Sequence, residues 1–264
     1  MTPRLTVITP SLNQGRYLER TILSVLEQGY VDLEYIVVDG GSTDESVEIL
    51  NRYDDRLAYW TSEPDRGQTN ALNKGLARAT GDVVAYINSD DYFLPGAFAA
   101  ALPAFASESV RWVCGVCRYE HPDGTVETIW RPERPRGPRA TWVRWSWAVP
   151  QAASFWRRDV FDEFGGFRED LHYVFDTEFE LRIALGGVLP ELVDRELAVR
   201  YLHEEAKSAE PARFAAEFER VVKDLLATLP RRERALHWPY YAVSWARTRP
   251  YDVYASARRL VRGR

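Results

Sequence analysis

The chain reads as an α/β protein: a mainly parallel central sheet flanked by helices, followed by a C-terminal helical extension. Three observations predict this. Short apolar runs alternate with helical periodicity from Leu5 to Ile87, the rhythm of βαβ units that close into a sheet covered on both faces. Each run ends in a polar cluster, at residues 10–13, 39, 63–68 and 88–91, and such sheets bind ligands beyond the carboxyl ends of their strands. Past residue 212, Phe214, Phe218, Val221, Val222, Leu225 and Leu226 fall on one helical face.

The elements follow in order. Residues 5–9 form a short apolar strand and 11–15 a polar turn; Leu18, Ile22, Val25 and Leu26 give helical spacing over 17–28. A second strand, 33–38, is ended by Asp39-Gly40-Gly41. Ser42, Thr43, Asp44 and Glu45 are capping residues for a helix that runs to about residue 52. A third strand covers 57–61. The helix 67–80 stops at Gly81, a residue suited to ending helices. Residues 83–87 are the fourth strand, and Pro95 opens another helix. The rhythm then breaks. Strands at 110–120 and 125–130 flank Pro122-Asp123-Gly124, a hairpin signal. Residues 131–139, rich in Pro and Arg, read as a solvated loop. A strand at 152–156, helices at 159–164 and 176–185 each closed by a Gly pair, a strand at 197–202 and a helix at 212–229 complete the chain.

Composition narrows the classes. The 264 residues, 45% hydrophobic and 13% aromatic, suffice for one large core with an appendage. No apolar run reaches the length of a membrane span, and the N-terminus lacks the basic-then-apolar pattern of a secretory leader. The expected location is cytoplasmic. Cys114 and Cys117 sit three apart in a strand, which points their thiols to opposite faces and favours packing over a metal or redox pair. The net charge of −5 hides an asymmetry: residues 231–264 hold nine Arg against Glu233 and Asp252, a surplus of seven, which leaves −12 for the rest. The acidic body argues against nucleic acid as a partner. The basic tail, with Trp238, Tyr240, Tyr241 and Trp245, suits a peripheral contact with the anionic inner face of a cell membrane.

The most telling segment runs from Val84 through Ala85, Tyr86 and Ile87 into Asn88, Ser89, Asp90 and Asp91. Adjacent carboxylates repel, and folding alone gives little reason to pair them. A divalent cation does, because magnesium and manganese take oxygen ligands and bridge carboxylates to phosphates.

These residues carry a resemblance. Val7-Ile-Thr-Pro-Ser-Leu-Asn13, Ser24-Val-Leu-Glu-Gln28, Glu34-Tyr-Ile-Val-Val-Asp-Gly-Gly-Ser-Thr-Asp44, Ser62-Glu-Pro-Asp-Arg-Gly-Gln68, Ala71-Leu-Asn-Lys-Gly75, Tyr86-Ile-Asn-Ser-Asp-Asp91, Gly165-Gly-Phe167, Phe175-Asp-Thr-Glu-Phe-Glu-Leu-Arg182 and Arg200-Tyr-Leu-His203 occur in the order seen in family 2 glycosyltransferases. The chain resembles that family over residues 5–208. The resemblance implies a GT-A fold and an enzyme that mostly inverts the anomeric centre. It implies a domain at 1–210, with a nucleotide-sugar-binding half at 1–108 and an acceptor-binding half at 109–210, and a basic extension at 211–264. It places Asp39 as acceptor for the base of a nucleoside-diphosphate sugar, UDP-type by preference, with Pro10 and Asn13 lining the nucleoside pocket. Asp65 and Gln68 serve base, ribose or diphosphate, and Lys74, Asn88, Ser89 and Asp90 complete the donor set. Asp90, Asp91 and His203 are the expected ligands of Mn2+ or Mg2+. Asn88 departs from the family, which often has Asp there, and this leaves open which acid touches the metal. Asp176 matches the catalytic base, with Glu178 as runner-up. Trp145 and Gln151 are expected at the acceptor, with Trp142 and Trp145 as a platform on which a sugar face stacks and Trp147 close by. The implied activity is transfer of a sugar to a hydroxyl of a glycan or lipid-linked acceptor. A sugar-nucleotide pyrophosphorylase would want a Gly-rich phosphate loop that residues 10–14 lack. A non-catalytic binding module fits poorly with keeping Asp90, Asp91, Asp176 and His203 together.

Overall fold

The computed structural model describes residues 2–137, 139–142, 149–203 and 211–236. β1 (Leu5–Ser11), α1 (Gly15–Leu26), β2 (Leu33–Asp39), α2 (Ser46–Arg52), β3 (Tyr59–Ser62), α3 (Gln68–Arg78) and β4 (Val83–Tyr86) alternate as the patterning predicts. β1 and β4 are buried along their whole length, as is β2 past Leu33. That is why they read as near-continuous apolar runs. β5 (Tyr92–Phe93), α4 (Ala97–Ala101), β6 (Trp112–Glu120), β7 (Val126–Trp130), α5 (Arg139–Trp142), β8 (Ser154–Arg157), α6 (Arg158–Phe164), α7 (Phe175–Leu185), β9 (Glu191–Tyr201), α8 (Pro211–Thr228) and α9 (Arg231–Arg234) follow.

All the strands join one sheet, in the order β3-β2-β1-β4-β8-β6-β9-β5, with β7 paired to β6. The first four are mutually parallel, so their carboxyl ends share one edge. Beyond β4 the sheet is mixed. β8 runs antiparallel to both β4 and β6, while β6 and β9 are parallel.

The period of two along the strands sorts side chains to two cores. Ile8, Val84, Tyr86, Trp112, Cys114 and Trp156 face one way, against α3, α6, α7 and α8. Leu5, Val7, Val83, Ala85, Val113, Cys117 and Phe155 face the other, against α1, α2 and α4. Cys114 and Cys117 are free thiols on opposite faces, as their spacing predicts. Gly75 lets α3 lie close to β1: a Cβ there would stand 2.5 Å from Ile8 Cγ2. Phe218, Val221, Val222 and Leu225 of α8 are buried in the same cluster as Phe179 of α7. At about 1.5–3 kcal/mol for each side chain buried, this packing ties α8 to the body.

Three elements differ from expectation. α2 starts at Ser46 rather than Ser42, because Asp44 accepts from Gly15 N (2.8 Å) and Ser46 N (3.0 Å), and Ser42 is bonded to Asp39. β5 is too short to show a period. β9 begins at Glu191, six residues early: its first half is charged, and Glu191, Asp194 and Glu196 pair with Arg134, Arg131 and Arg118. Among the described residues, no helix is long and apolar enough to cross a membrane.

Candidate active site

The carboxyl edge of the parallel strands is the floor of the site. Ser11, Asp39 and Ser62 stand in register across β1, β2 and β3. Asp39 is 0% exposed. Its carboxylate accepts from Gly41 N (3.1 Å), Ser42 N (2.8 Å), Ser42 Oγ (2.5 Å) and Ser62 Oγ (2.6 Å). Three of these bonds fall on Oδ2 and one on Oδ1, which keeps an acceptor site. Asp39 therefore shapes the Gly40–Gly41 turn mainly through Oδ2. Asn13, in the left-handed region at φ 51°, ties this turn to the end of β1. Its N–H donates to Ser42 Oγ (2.7 Å), and its Oδ1 accepts from Thr43 N (2.9 Å). Asp65 lies over Gly40, where any Cβ would come within 3.0 Å of its Oδ2. Its Oδ1 accepts from Gly67 N (2.7 Å) at the start of α3.

The turn after β4 is held from three sides. The Thr21 hydroxyl on α1 lies 2.9 Å from Ser89 O and 2.6 Å from Asp91 O. Arg20 donates to Asp90 O (3.0 Å) while its guanidinium sits between the Tyr92 and Tyr201 rings, at 4.4 and 4.0 Å. Gln68 donates to Asn88 Oδ1 (2.7 Å), and Asn88 donates to Asp91 Oδ2 (3.1 Å). Asp91 Oδ1 accepts from Tyr201 N (2.9 Å). Asp91 is thus turned inward and buried. Burial first, and then the neighbouring Asp90 charge, pushes its pKa up to about 7. Each of its oxygens thus accepts one bond within the fold.

Asp90 faces out. Its Oδ2 lies 3.0 Å from His203 Nε2, with side-chain exposures of 23% and 4%. Cis ligands of an octahedral ion at 2.0–2.1 Å stand about 3 Å apart, so the pair has the spacing a divalent ion asks for. His203 Nδ1 is buried without a partner among the described residues, and its ring packs on Tyr17 with centroids 4.6 Å apart. No group of three or more His, Cys, Asp or Glu able to hold an ion occurs among the described residues. A donor diphosphate and water would have to complete the shell, as is usual for magnesium.

α7 faces this edge from the mixed half of the sheet. Its second residue, Asp176, is held by Thr177 N (2.6 Å) and has no salt-bridge partner among the described residues. Burial raises its pKa, opposed by the Thr177 bonds and the Arg200 charge. Arg200, on β9, feels both Asp91 and Asp176 and so links the two halves electrostatically. Glu180, one turn on, is 2% exposed with an unpartnered Oε1, and burial holds it well above the usual carboxylate range. Sequence reading missed Arg200, Thr21, Arg20 and Glu180. The available signal was polar residues inside otherwise apolar periodic runs.

Several expected site residues are employed elsewhere. Glu178 is 2% exposed and forms a two-point pair with Arg182, at 3.0 Å to each oxygen. Arg182 also donates to Phe164 O and Gly166 O. Glu178 thus serves as counter-ion to Arg182. Lys74 pairs with Glu63 (2.9 Å), just past the end of β3. Gln151 donates to Tyr86 O (2.8 Å), a bond that holds β4 rather than an acceptor. Trp142 donates to Gly137 O (3.0 Å) and packs on the core. Pro10 and Ser89 lie in the floor and the turn as expected. Trp145 and Trp147, and the tail with Trp238, Tyr240, Tyr241 and Trp245, lie outside the described residues.

A parallel half with acids along its carboxyl edge, faced by a carboxylate on a helix of the mixed half, is the layout of a GT-A glycosyltransferase. The comparisons agree. The family model for Glycosyl transferase family 2 matches residues 6–165, more than half of the chain, and the chain belongs to that family. An uncharacterised glycosyltransferase of Mycobacterium tuberculosis is 37% identical over 192 residues, covering 69% of this chain and 70% of that protein. The fold is similar to that of TarS 1–349 of S. aureus, solved in complex with UDP-GlcNAc: TM-score 0.66, 18% identity, 88% of this chain and 69% of that one. It is also similar to the mannosyltransferase PcManGT of Pyrobaculum calidifontis, solved with GDP-Man and Mn2+: TM-score 0.62, 20% identity, 96% and 83% covered.

Proposed function

We propose that this glycosyltransferase moves a sugar from a UDP-type nucleoside diphosphate to a hydroxyl of a glycan or lipid-linked acceptor, with inversion and with Asp176 as general base. The observation that carries the reading is the state of Asp176. It is a carboxylate with no ion pair at contact distance among the described residues, set at the N-terminus of α7, and burial raises its pKa. A base is most effective when its pKa lies near the working pH.

Each residue then has a task. The donor lies along the strand ends, with its nucleoside over Pro10, Asn13 and the Asp39 turn and its ribose and diphosphate near Asp65, Gln68, Asn88 and Asp90. Asp90 and His203 would hold Mn2+ or Mg2+, which when bound offsets charge on the departing diphosphate. Asp176 takes the acceptor's proton on the face opposite the leaving group, as inversion requires. The Arg200 charge acts on both Asp91 and Asp176 and favours the ionised form of the latter. Asp91 keeps the Asn88–Asp91 turn in shape. The charge of residues 231–264 supports a contact with an anionic membrane surface, and residues 1–108 and 109–210 take the donor and the acceptor respectively.

The reading is tested by thermal shift with UDP, GDP and UDP-GlcNAc, each with Mn2+ and with EDTA. A rise in Tm that needs both UDP and Mn2+ is the expected outcome. Stabilisation by GDP alone, or by no diphosphate, would remove the UDP-type assignment.

A further inference from the structure

We propose that Glu217, on α8, is a positioning residue for Asp176: its carboxylate clasps the three backbone N–H groups that lead into the base. The inference rests on Asp176 being the base. Glu217 Oε1 accepts from His172 N (2.9 Å), and Oε2 accepts from Tyr173 N (2.6 Å) and Val174 N (3.0 Å). Val174 is the N-cap residue of α7 and makes no side-chain cap. A valine has no oxygen with which to do so, and uncapped N-termini leave donors unmet. Glu217, on another helix more than forty residues along the chain, accepts from the N-cap N–H of Val174 and from the two N–H groups before it.

Three consecutive N–H groups around one anion form a nest, and the positive end of α7 adds to it. The Glu217 side chain is only 11% exposed, so solvent screens the contact weakly. The adjoining loop is fastened to the same helix by Arg168 on Asp224 (3.0 Å) and by Arg220 on Asp170 O (2.8 Å). Asp176 is thereby fixed from both sides, by the clasp behind it and by Thr177 N ahead of it. Glu217 has no part in the chemistry. It sets where the base stands, and a displacement of about 1 Å in a catalytic group can cost about a hundredfold in rate.

The test uses the full chain with UDP-GlcNAc and Mn2+, water serving as acceptor, in Glu217→Ala, Glu217→Gln, Asp224→Asn and Asp176→Asn. Glu217→Ala is expected to lower kcat at least tenfold with donor KM within about twofold, and to move the acidic limb of kcat to lower pH as Asp176 becomes better hydrated. Glu217→Gln keeps one acceptor oxygen and recovers part of the rate. Asp224→Asn loosens α8 without touching the clasp and stays near wild type. Amide exchange at residues 172–174 is slow in the wild type and fast in Glu217→Ala. Wild-type kcat and pH limb in Glu217→Ala, with Asp176→Asn inactive, overturn the inference. Should Glu217→Ala not fold, wild-type kcat and limb in Glu217→Gln overturn it equally. An active Asp176→Asn sinks the base assignment instead and leaves the exchange result to report on the clasp.

Discussion

Replacing Asp176 with Asn separates chemistry from stability, because the two respond in opposite directions. Asn keeps the size of the side chain and the oxygen that accepts from Thr177 N at 2.6 Å. It removes the lone pair that takes a proton. Positioned general bases contribute about 10²–10⁴ in rate, or about 3–5 kcal/mol of barrier. Turnover of a UDP-sugar should fall by that factor. Donor affinity should stay within about twofold, or ~0.4 kcal/mol, since Asp176 lies on α7 and not on the strand ends.

Stability should move the other way. Burial raises the Asp176 pKa in the folded protein. The native state therefore holds this proton more tightly than the unfolded chain does. The group's contribution to stability is fully present below the unfolded pKa and is lost as pH rises through the folded one. At neutral pH the ionised side chain costs stability, and Asn carries no such cost. Asp176→Asn should unfold at a higher temperature than wild type at pH 7.5, with the gain shrinking toward pH 4. UDP release with Mn2+, isothermal titration with UDP and thermal melts at the two pH values make the full assay. A variant that turns over within about threefold of wild type, or that melts lower at pH 7.5, would refute the reasoning. The second result would mark Asp176 as a structural acid.

Two further outcomes follow from the same kind of accounting. Arg182→Met leaves Glu178, 2% exposed, without its counter-ion; breaking such a buried pair costs about 3–5 kcal/mol, to be read by urea unfolding, and the double replacement Glu178→Met with Arg182→Met should recover most of it. In metal-free protein Asp91 raises the proton affinity of the native state, with a pKa near 7 against 3.8, so its contribution falls as pH rises through that window; Asp91→Asn should flatten stability between pH 4 and 7 and melt higher than wild type at pH 7.5 in EDTA.

How much of this was legible in the sequence depends on whether a residue's role is local. The βαβ rhythm is local, and β1 through β4 with α1 and α3 lie within a few residues of where periodicity puts them. Cys114 and Cys117 part to opposite cores because a strand alternates, and alternation needs no knowledge of the partner strand. β9 was readable only from its apolar half. Its charged half is a strand because Arg118, Arg131 and Arg134 stand opposite, and no window along residues 191–196 contains them.

The site divides along the same line. That residues 88–91 form a polar turn at a strand end could be read directly; which carboxylate faces solvent could not. Asp90 and Asp91 are neighbours of identical chemistry. Tyr201 N, 110 residues away, takes one of them inward, and His203 meets the other. The same holds for Asp176 and Glu178, two residues apart on α7. A step of two along a helix turns a side chain by about 200°, so one carboxylate meets the open edge and the other meets Arg182 and the Phe164–Gly166 carbonyls. Paired acids in a sequence thus declare that a charge is wanted at that place. The partner that each one finds decides which of them is free to act, and here both deciding partners of the first pair sit on β9 and its exit. A change in β9 that moved Tyr201 would therefore release one of the two bonds that hold the Asp91 carboxylate inward without altering Asp91 itself.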